Sequence, residues 1–333
     1  MSSEVRYALT DEGVKLPVID VTHPSFAVTA TEPELAAMEE KFLVDAKKMG
    51  KLPDSVREQL KNSFLGRGMM EAAGSFLPGL STYLLKLGPE NLGEHGKPID
   101  RILAASFPML TMRLRLQEMA RLLADALVES LAARLTQGAK EPLLFVNIAG
   151  GPAADSWNTL ILLQRERPEL LDGREITVAI LDRDEHGPSF GARAVEALCA
   201  EGGPLSALRP CPVWRHIYYP WTESERLGAL LRELGASRSV CAVSSEGGLF
   251  EYGTDDEIIA NPLQLREGTQ ADARVVGSVS RDSETMRSTR RSDSFTTIPR
   301  TIEAFRALAE RGGWAIEKQI DRPYSFHVRL VKT

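Results

Sequence analysis

Cysteine is scarce in this chain: three residues among 333, Cys199, Cys211 and Cys241, with no CxxC spacing. So sparse and odd a set excludes a disulfide framework and a cysteine-based zinc site, and it suits free thiols in a reducing compartment. Histidine is nearly as rare, and none of its five residues has the His–Asp or His–Cys spacing that would single out a base; no metal site is expected. No run approaches 18 apolar residues, and the opening MSSEVRYALTDEGVK holds no apolar signal core. The expectation is a cytoplasmic protein that does not enter membranes. Basic residues are outnumbered, 40 against 46, and the net charge of −6 argues against a general nucleic-acid binder.

What is present divides near residue 140. Before it the pattern is helical, over 34–48, 55–64, 69–87 and 113–135, with one short strand candidate at 18–21. In 113–135, Leu116, Met119, Ala120, Leu123, Leu127, Leu131 and Leu135 recur every three or four residues, the mark of one buried helix face. Gly138 and Pro142 then punctuate the chain.

From Leu143 onward short apolar strands alternate with amphipathic helices. Strands are expected at 143–148, 176–181, 213–219, 240–244, 274–278, 314–320 and 326–331. Helices are expected at 154–167, 189–201, 223–234, 255–264 and 302–311. Thr222-x-x-Glu225 and Thr254-x-x-Glu257 read as capping boxes. Such alternation predicts a mostly parallel sheet with both faces covered. The last two strands are separated only by a turn around Asp321-Arg322-Pro323, too short for a crossover, so they must pair antiparallel.

The turn after the first strand of this half, Asn147-Ile148-Ala149-Gly150-Gly151-Pro152-Ala153, has almost no side chains. In an open α/β sheet ligands gather beyond the strand ends, and small residues let a backbone approach closely; alanine does so where φ is negative. Asp182 follows the second strand directly, where a carboxylate can accept both hydroxyls of a ribose; Asp184 is the alternative, and either could instead cap the next helix.

Five β–α units closed by a reversed strand resemble the class I S-adenosylmethionine-dependent methyltransferases, a Rossmann-like doubly wound fold. The glycine turn resembles their first motif, acidic-x-Gly-x-Gly-x-Gly, with Asn147 in place of the acid and Ala149 and Ala153 in place of two glycines. The stretch RSVCAVSSEGGLFEYGTDDEI, together with Trp221, is similar to the segment after the fourth strand in the leucine carboxyl methyltransferase-like family. That likeness spans roughly Arg113 to Leu265 and departs from the family where Pro152-Ala153-Ala154 precede Asp155.

The resemblance implies S-adenosylmethionine as cofactor, held by Asn147, Ala149, Gly150, Gly151, Pro152, Ala153, Asp182, Arg183, Ser245 and Glu246. An arginine at the start of the long helix, Arg113 or Arg115, would take the cofactor carboxylate. It implies residues 140–333 as the cofactor domain and residues 1–139 as a helical cap that forms part of the substrate pocket or a dimer interface, so that a homodimer is one expectation. The acceptor would be a small molecule methylated on O or N. A base-methylating role is not expected, because no Asn/Asp-Pro-Pro-Tyr follows the fourth strand. The alternatives are a non-catalytic binder of the same fold and an NAD-dependent oxidoreductase. No catalytic base is named: His327 reads as sheet surface and His186 as a neighbour of the adenosine. The polar stretch 280–300, with Arg281, Arg287, Arg290 and Arg291, reads as a solvated loop, with an anion-binding lid as the alternative.

Overall fold

The computed structural model describes residues 4–48, 53–71, 75–138, 140–290 and 296–333. The first part contains β1 (Tyr7–Leu9), β2 (Lys15–Pro17), α1 (Glu32–Lys48), α2 (Asp54–Lys61), α3 (Gly66–Glu71), α4 (Gly79–Leu85), α5 (Pro98–Ala104) and α6 (Phe107–Thr136). The second begins β3 (Leu143–Ile148), α7 (Ala154–Glu166), β4 (Ile176–Asp182), α8 (His186–Cys199), β5 (Val213–Tyr218) and α9 (Glu225–Glu233). It continues with β6 (Val240–Ser245), α10 (Leu249–Tyr252), α11 (Asp255–Gly268), β7 (Arg274–Ser280), α12 (Glu284–Arg290), α13 (Ile302–Arg311), β8 (Trp314–Asp321) and β9 (Ser325–Lys332).

Seven strands form one sheet in the order β5-β4-β3-β6-β7-β9-β8, and β1 pairs with β2 apart from it. Strands β3 to β7 are parallel to one another, whereas β9 is antiparallel to both β7 and β8. Alternation along β3 assigns its two faces. Leu143 and Phe145 enter a core with α6, α7, α8 and the N-terminal elements, while Leu144, Val146 and Ile148 enter a second core with α9, α11 and α13. The N-terminal elements therefore share a core with the sheet. Trp157 of α7 donates its indole N–H to the Ile19 carbonyl (2.8 Å), and Tyr83 of α4 donates to the Pro17 carbonyl (2.7 Å).

Several local expectations are corrected. Residues 18–21 are not a strand; the pairing lies at Lys15–Pro17, and Trp157, Asn158 and Tyr83 bind the backbone that follows. The helix expected over 69–87 is at least two helices, because Pro78 cannot donate within a helix and instead precedes the first turn of α4. The capping box at Thr254 is present, with its hydroxyl accepting from the Glu257 N–H. The one at Thr222 is not: Ser224 sits at that helix start in helical backbone, without a side-chain cap. The polar stretch after β7 contains α12 rather than loop alone. Among the described residues, no helix is long and apolar enough to cross a membrane.

Candidate functional site

The glycine turn joins β3 to α7 at the edge where the parallel strands end. Its backbone enters the left-handed region three times, at Ala149 (φ 55°), Gly151 (φ 56°) and Ala153 (φ 57°). The expectation of alanine at negative φ is thus overturned, at a cost of about 1–2 kcal/mol for each alanine. The small residues are required by the chain's own backbone. A Cβ on Gly150 would lie 2.1 Å from the Asn147 Oδ1, and one on Gly151 would lie 2.5 Å from the Cα of Gly79. Gly187 and Gly191 of α8 press on the same turn, at Gly151 and Pro152.

Asn147, in the usual acid position, is fully buried and donates from Nδ2 to Asp155 Oδ1 and Ser244 Oγ, both at 2.9 Å. Among the described residues, Asn147 Oδ1 and Asp155 Oδ2 are buried without a partner. Burial, reinforced by nearby Glu246, pushes the Asp155 carboxyl up to about 6. Asp182 ends β4 and is 8% exposed; it accepts the Gly151 N–H (2.9 Å) and the Asp184 N–H (3.0 Å). Burial raises its pKa from the ordinary aspartate value, against those two hydrogen bonds. Asp184 accepts from the backbone of His186 and Gly187 and so caps the start of α8, while Arg183 points to solvent. Ser245 donates to the Ile148 carbonyl and accepts from the Leu249 N–H, which ties β6 to the glycine turn.

Beyond β6 lies a buried charge cluster. Glu246 pairs with Lys86, which follows α4, and accepts from Arg115 Nε at 2.5 Å, while Arg115 Nη1 reaches Glu251 at 2.8 Å. Burial would raise the Glu246 pKa, but the two cations outweigh it and hold it down to about 2. Burial depresses the Lys86 pKa despite Glu246. Removing any one member would leave an uncompensated buried charge. Of the two arginines expected near the cofactor carboxylate, Arg115 belongs to this cluster. Arg113 does not: its guanidinium lies against Gly88, with its Nε buried and unpartnered.

A cavity of about 250 Å³ adjoins the cluster, with Arg115, Glu251, Tyr252 and Gly247 in its wall. Met69, Leu77, Met109, Met112 and Met286 make it predominantly apolar, and methionines let such a wall adapt to its contents. Of the three tyrosines near the strand ends, Tyr218, Tyr219 and Tyr252, the last lines it. Tyr218 is 52% exposed, and buried Tyr219 donates to Asn261. Trp221 stacks edge-on against Phe76, as Tyr252 does.

The histidines scatter. His186 is exposed and meets Asp11 (2.8 Å), and His216 meets the Asp182 carbonyl (3.0 Å). His327, read as sheet surface, is fully buried. Arg281 stacks on Phe326 and Arg287 pairs with Asp282, so these two do not converge on a shared anion site; Arg291 lies outside the described residues. Among the described residues, no group of three or more His, Cys, Asp or Glu is placed to hold a metal ion.

The donor set fits S-adenosylmethionine at its amino-acid end, where Glu246 matches an ammonium and Lys86 and Arg115 match a carboxylate. At the other end Asp182 is already bonded to the Gly151 N–H and Gly79 covers Gly151, so an adenosyl group would fit there only with the start of α4 displaced. Lys86 and Glu251 escaped sequence reading because nothing local marks them; Glu246 and Arg115 were marked only by resemblance.

No family model and no curated protein matches the chain. Solved structures do. A possible exported protein from Bordetella parapertussis matches at TM-score 0.57 and 16% identity, over 91% of this chain and 97% of that one. The magnesium protoporphyrin IX methyltransferase of Synechocystis PCC 6803, with bound S-adenosylhomocysteine, gives TM-score 0.43 and 14% identity, over 69% and 89%. Mitomycin 7-O-methyltransferase gives 0.42 and 13%, over 92% and 74%. At 16% identity the first of these bears on the fold alone. Counted from β3 as the first, the strand order of the large sheet is 3-2-1-4-5-7-6 with the seventh reversed; the chain has the fold of the class I S-adenosylmethionine-dependent methyltransferases.

Proposed function

We propose that the protein is an S-adenosylmethionine-dependent methyltransferase acting on a small, largely apolar molecule. The observation that carries this reading is the Lys86–Glu246–Arg115 cluster at the end of β6, which meets the methionine-lined cavity at Arg115, together with Asp182 at the end of β4, bonded to the glycine turn. Asp182 would hold the ribose, Glu246 the cofactor ammonium, and Lys86 with Arg115 its carboxylate. Once bound, the cofactor supplies an electrophilic methyl group. The chain's part is to position the acceptor in the cavity and to exclude water. Arg115 would stand at the junction, since it belongs to the cluster and also lines the cavity.

One observation favours a second reading, a member of the fold that binds without turnover: the start of α4 lies on the glycine turn. Calorimetric titration with S-adenosylhomocysteine, beside Asp182→Ala and an NADH control, tests the cofactor. Micromolar binding that Asp182→Ala weakens supports it, whereas a folded protein that binds nothing, or binds NADH instead, refutes it. Methyl release from labelled S-adenosylmethionine to apolar hydroxyl or amine compounds then separates the two readings.

A further inference from the structure

The methyl-transfer reading leaves one buried polar chain on the cavity wall unused. Because β9 runs against the parallel strands, its first residue, Ser325, lies at the edge where those strands end, and it lines the cavity. His327 stands two residues further in on the same face, fully buried. Its Nε2 is 2.9 Å from Ser325 Oγ, and its Nδ1 is 2.7 Å from Glu118 Oε2 on α6. An ionised carboxylate only accepts, so the proton of the neutral ring sits on Nδ1 and the Nε2 lone pair faces the serine hydroxyl. Glu118 is kept ionised despite burial by hydrogen bonds from His327 and from Arg322, which grips it at 2.9 and 2.5 Å. A nucleophile bonded to a base, which a third group orients, is the arrangement that activates a serine.

The neighbouring residue supplies the remaining element. Ser280 is the register partner of Ser325 across the β7–β9 pair, lines the same cavity, and its hydroxyl makes no hydrogen bond among the described residues. Paired residues of adjacent strands present their side chains on one face, about 5 Å apart. The Ser280 hydroxyl is therefore available to the carbonyl oxygen of a molecule whose carbonyl carbon meets Ser325.

We propose that Ser325, His327 and Glu118 form a catalytic serine site that hydrolyses carboxylic esters with a small apolar acyl part, without an adenosyl cofactor. Ser325 Oγ bonds to the carbonyl carbon while its proton passes to His327 Nε2. The ester C–O bond breaks, and the departing alcohol takes that proton. Water then adds to the acyl carbon and gives a proton to Nε2; the carboxylic acid leaves, and Ser325 Oγ recovers the proton. Glu118 touches no reacting atom and acts as a positioning residue through the ring.

The full chain, treated with a fluorophosphonate probe and mapped by mass spectrometry, should carry the label on Ser325. p-Nitrophenyl butyrate should be hydrolysed at least roughly 100-fold faster than by Ser325→Ala, the scale of general-base assistance. His327→Asn should lose a similar factor. Among the described residues, Glu118 from α6 is the charged group bonded to the ring, and Arg322 from the β8–β9 turn is the positive group bonded to Glu118. Glu118→Gln removes the negative one, so the acidic limb of its pH–rate profile should move to lower pH, which a merely structural role would not produce. The labelling of the wild-type chain needs no variant to fold, and both measurements contain no S-adenosylmethionine, so their result is separate from the fate of the methyl-transfer reading. A folded wild-type chain that leaves Ser325 unlabelled, or cleaves the ester no faster than Ser325→Ala, overturns the proposal.

Discussion

Gly79, the first residue of α4, and Gly151, in the turn after β3, lie in backbone contact: a Cβ on Gly79 would stand 2.4 Å from the Gly151 Cα. The N-terminal part of the chain thus rests on the glycine turn after β3. Gly79→Ala forces those backbones apart and should lower stability by about 1–3 kcal/mol, as overpacking does. The midpoint of urea unfolding measures it; an unchanged midpoint would mean that the contact yields freely.

Ala149 and Ala153 hold positive φ values that alanine adopts only at a cost. Ala153→Gly should therefore stabilise the protein by about 1 kcal/mol, the strain relieved less the extra freedom glycine gives the unfolded chain. A rise in the same midpoint checks this.

Glu246 carries the opposite expectation. Glu246→Gln leaves Lys86 and Arg115 buried against a neutral side chain, and should destabilise by about 3–5 kcal/mol. Its folded pKa is depressed from 4.5 to about 2, so its contribution is complete above 4.5 and is lost as pH falls toward 2. The stability gap between wild type and variant should narrow over that interval.

Asp155 titrates the other way. Its folded pKa is raised from 3.8 to about 6 by burial and by Glu246, so the folded state binds the proton more tightly than the unfolded chain. Its contribution is complete below 3.8 and falls away as pH rises through about 6, a loss of about 3 kcal/mol for a shift of this size. Asp155→Asn should remove that part of the pH dependence, which unfolding curves at pH 4 and pH 7 would show.

The sheet was legible because its order is written locally. Each parallel strand is a short apolar run bounded by turn residues, and the turn at Asp321–Pro323 permits only an antiparallel return. The glycine turn was legible as a close approach, though the partner turned out to be Gly79, distant in sequence and inside a segment that reads as continuous helix. Lys86 meets Glu246 across 160 residues and Glu118 meets His327 across 209. No spacing rule spans such distances; α6, packed across the sheet, brings Arg115 and Glu118 to their partners. Thr222 failed as a cap because the helix begins later, whereas Thr254 stands one residue before its helix.

An adenosyl cofactor bound as proposed would reach the glycine turn by displacing the start of α4. Hydrogen exchange of the full chain, with and without saturating S-adenosylhomocysteine, tests it directly. Exchange should quicken over Gly79–Leu85 and slow over 149–153, and both changes should be lost in Asp182→Ala. Unchanged exchange over both segments in a folded protein would contradict it.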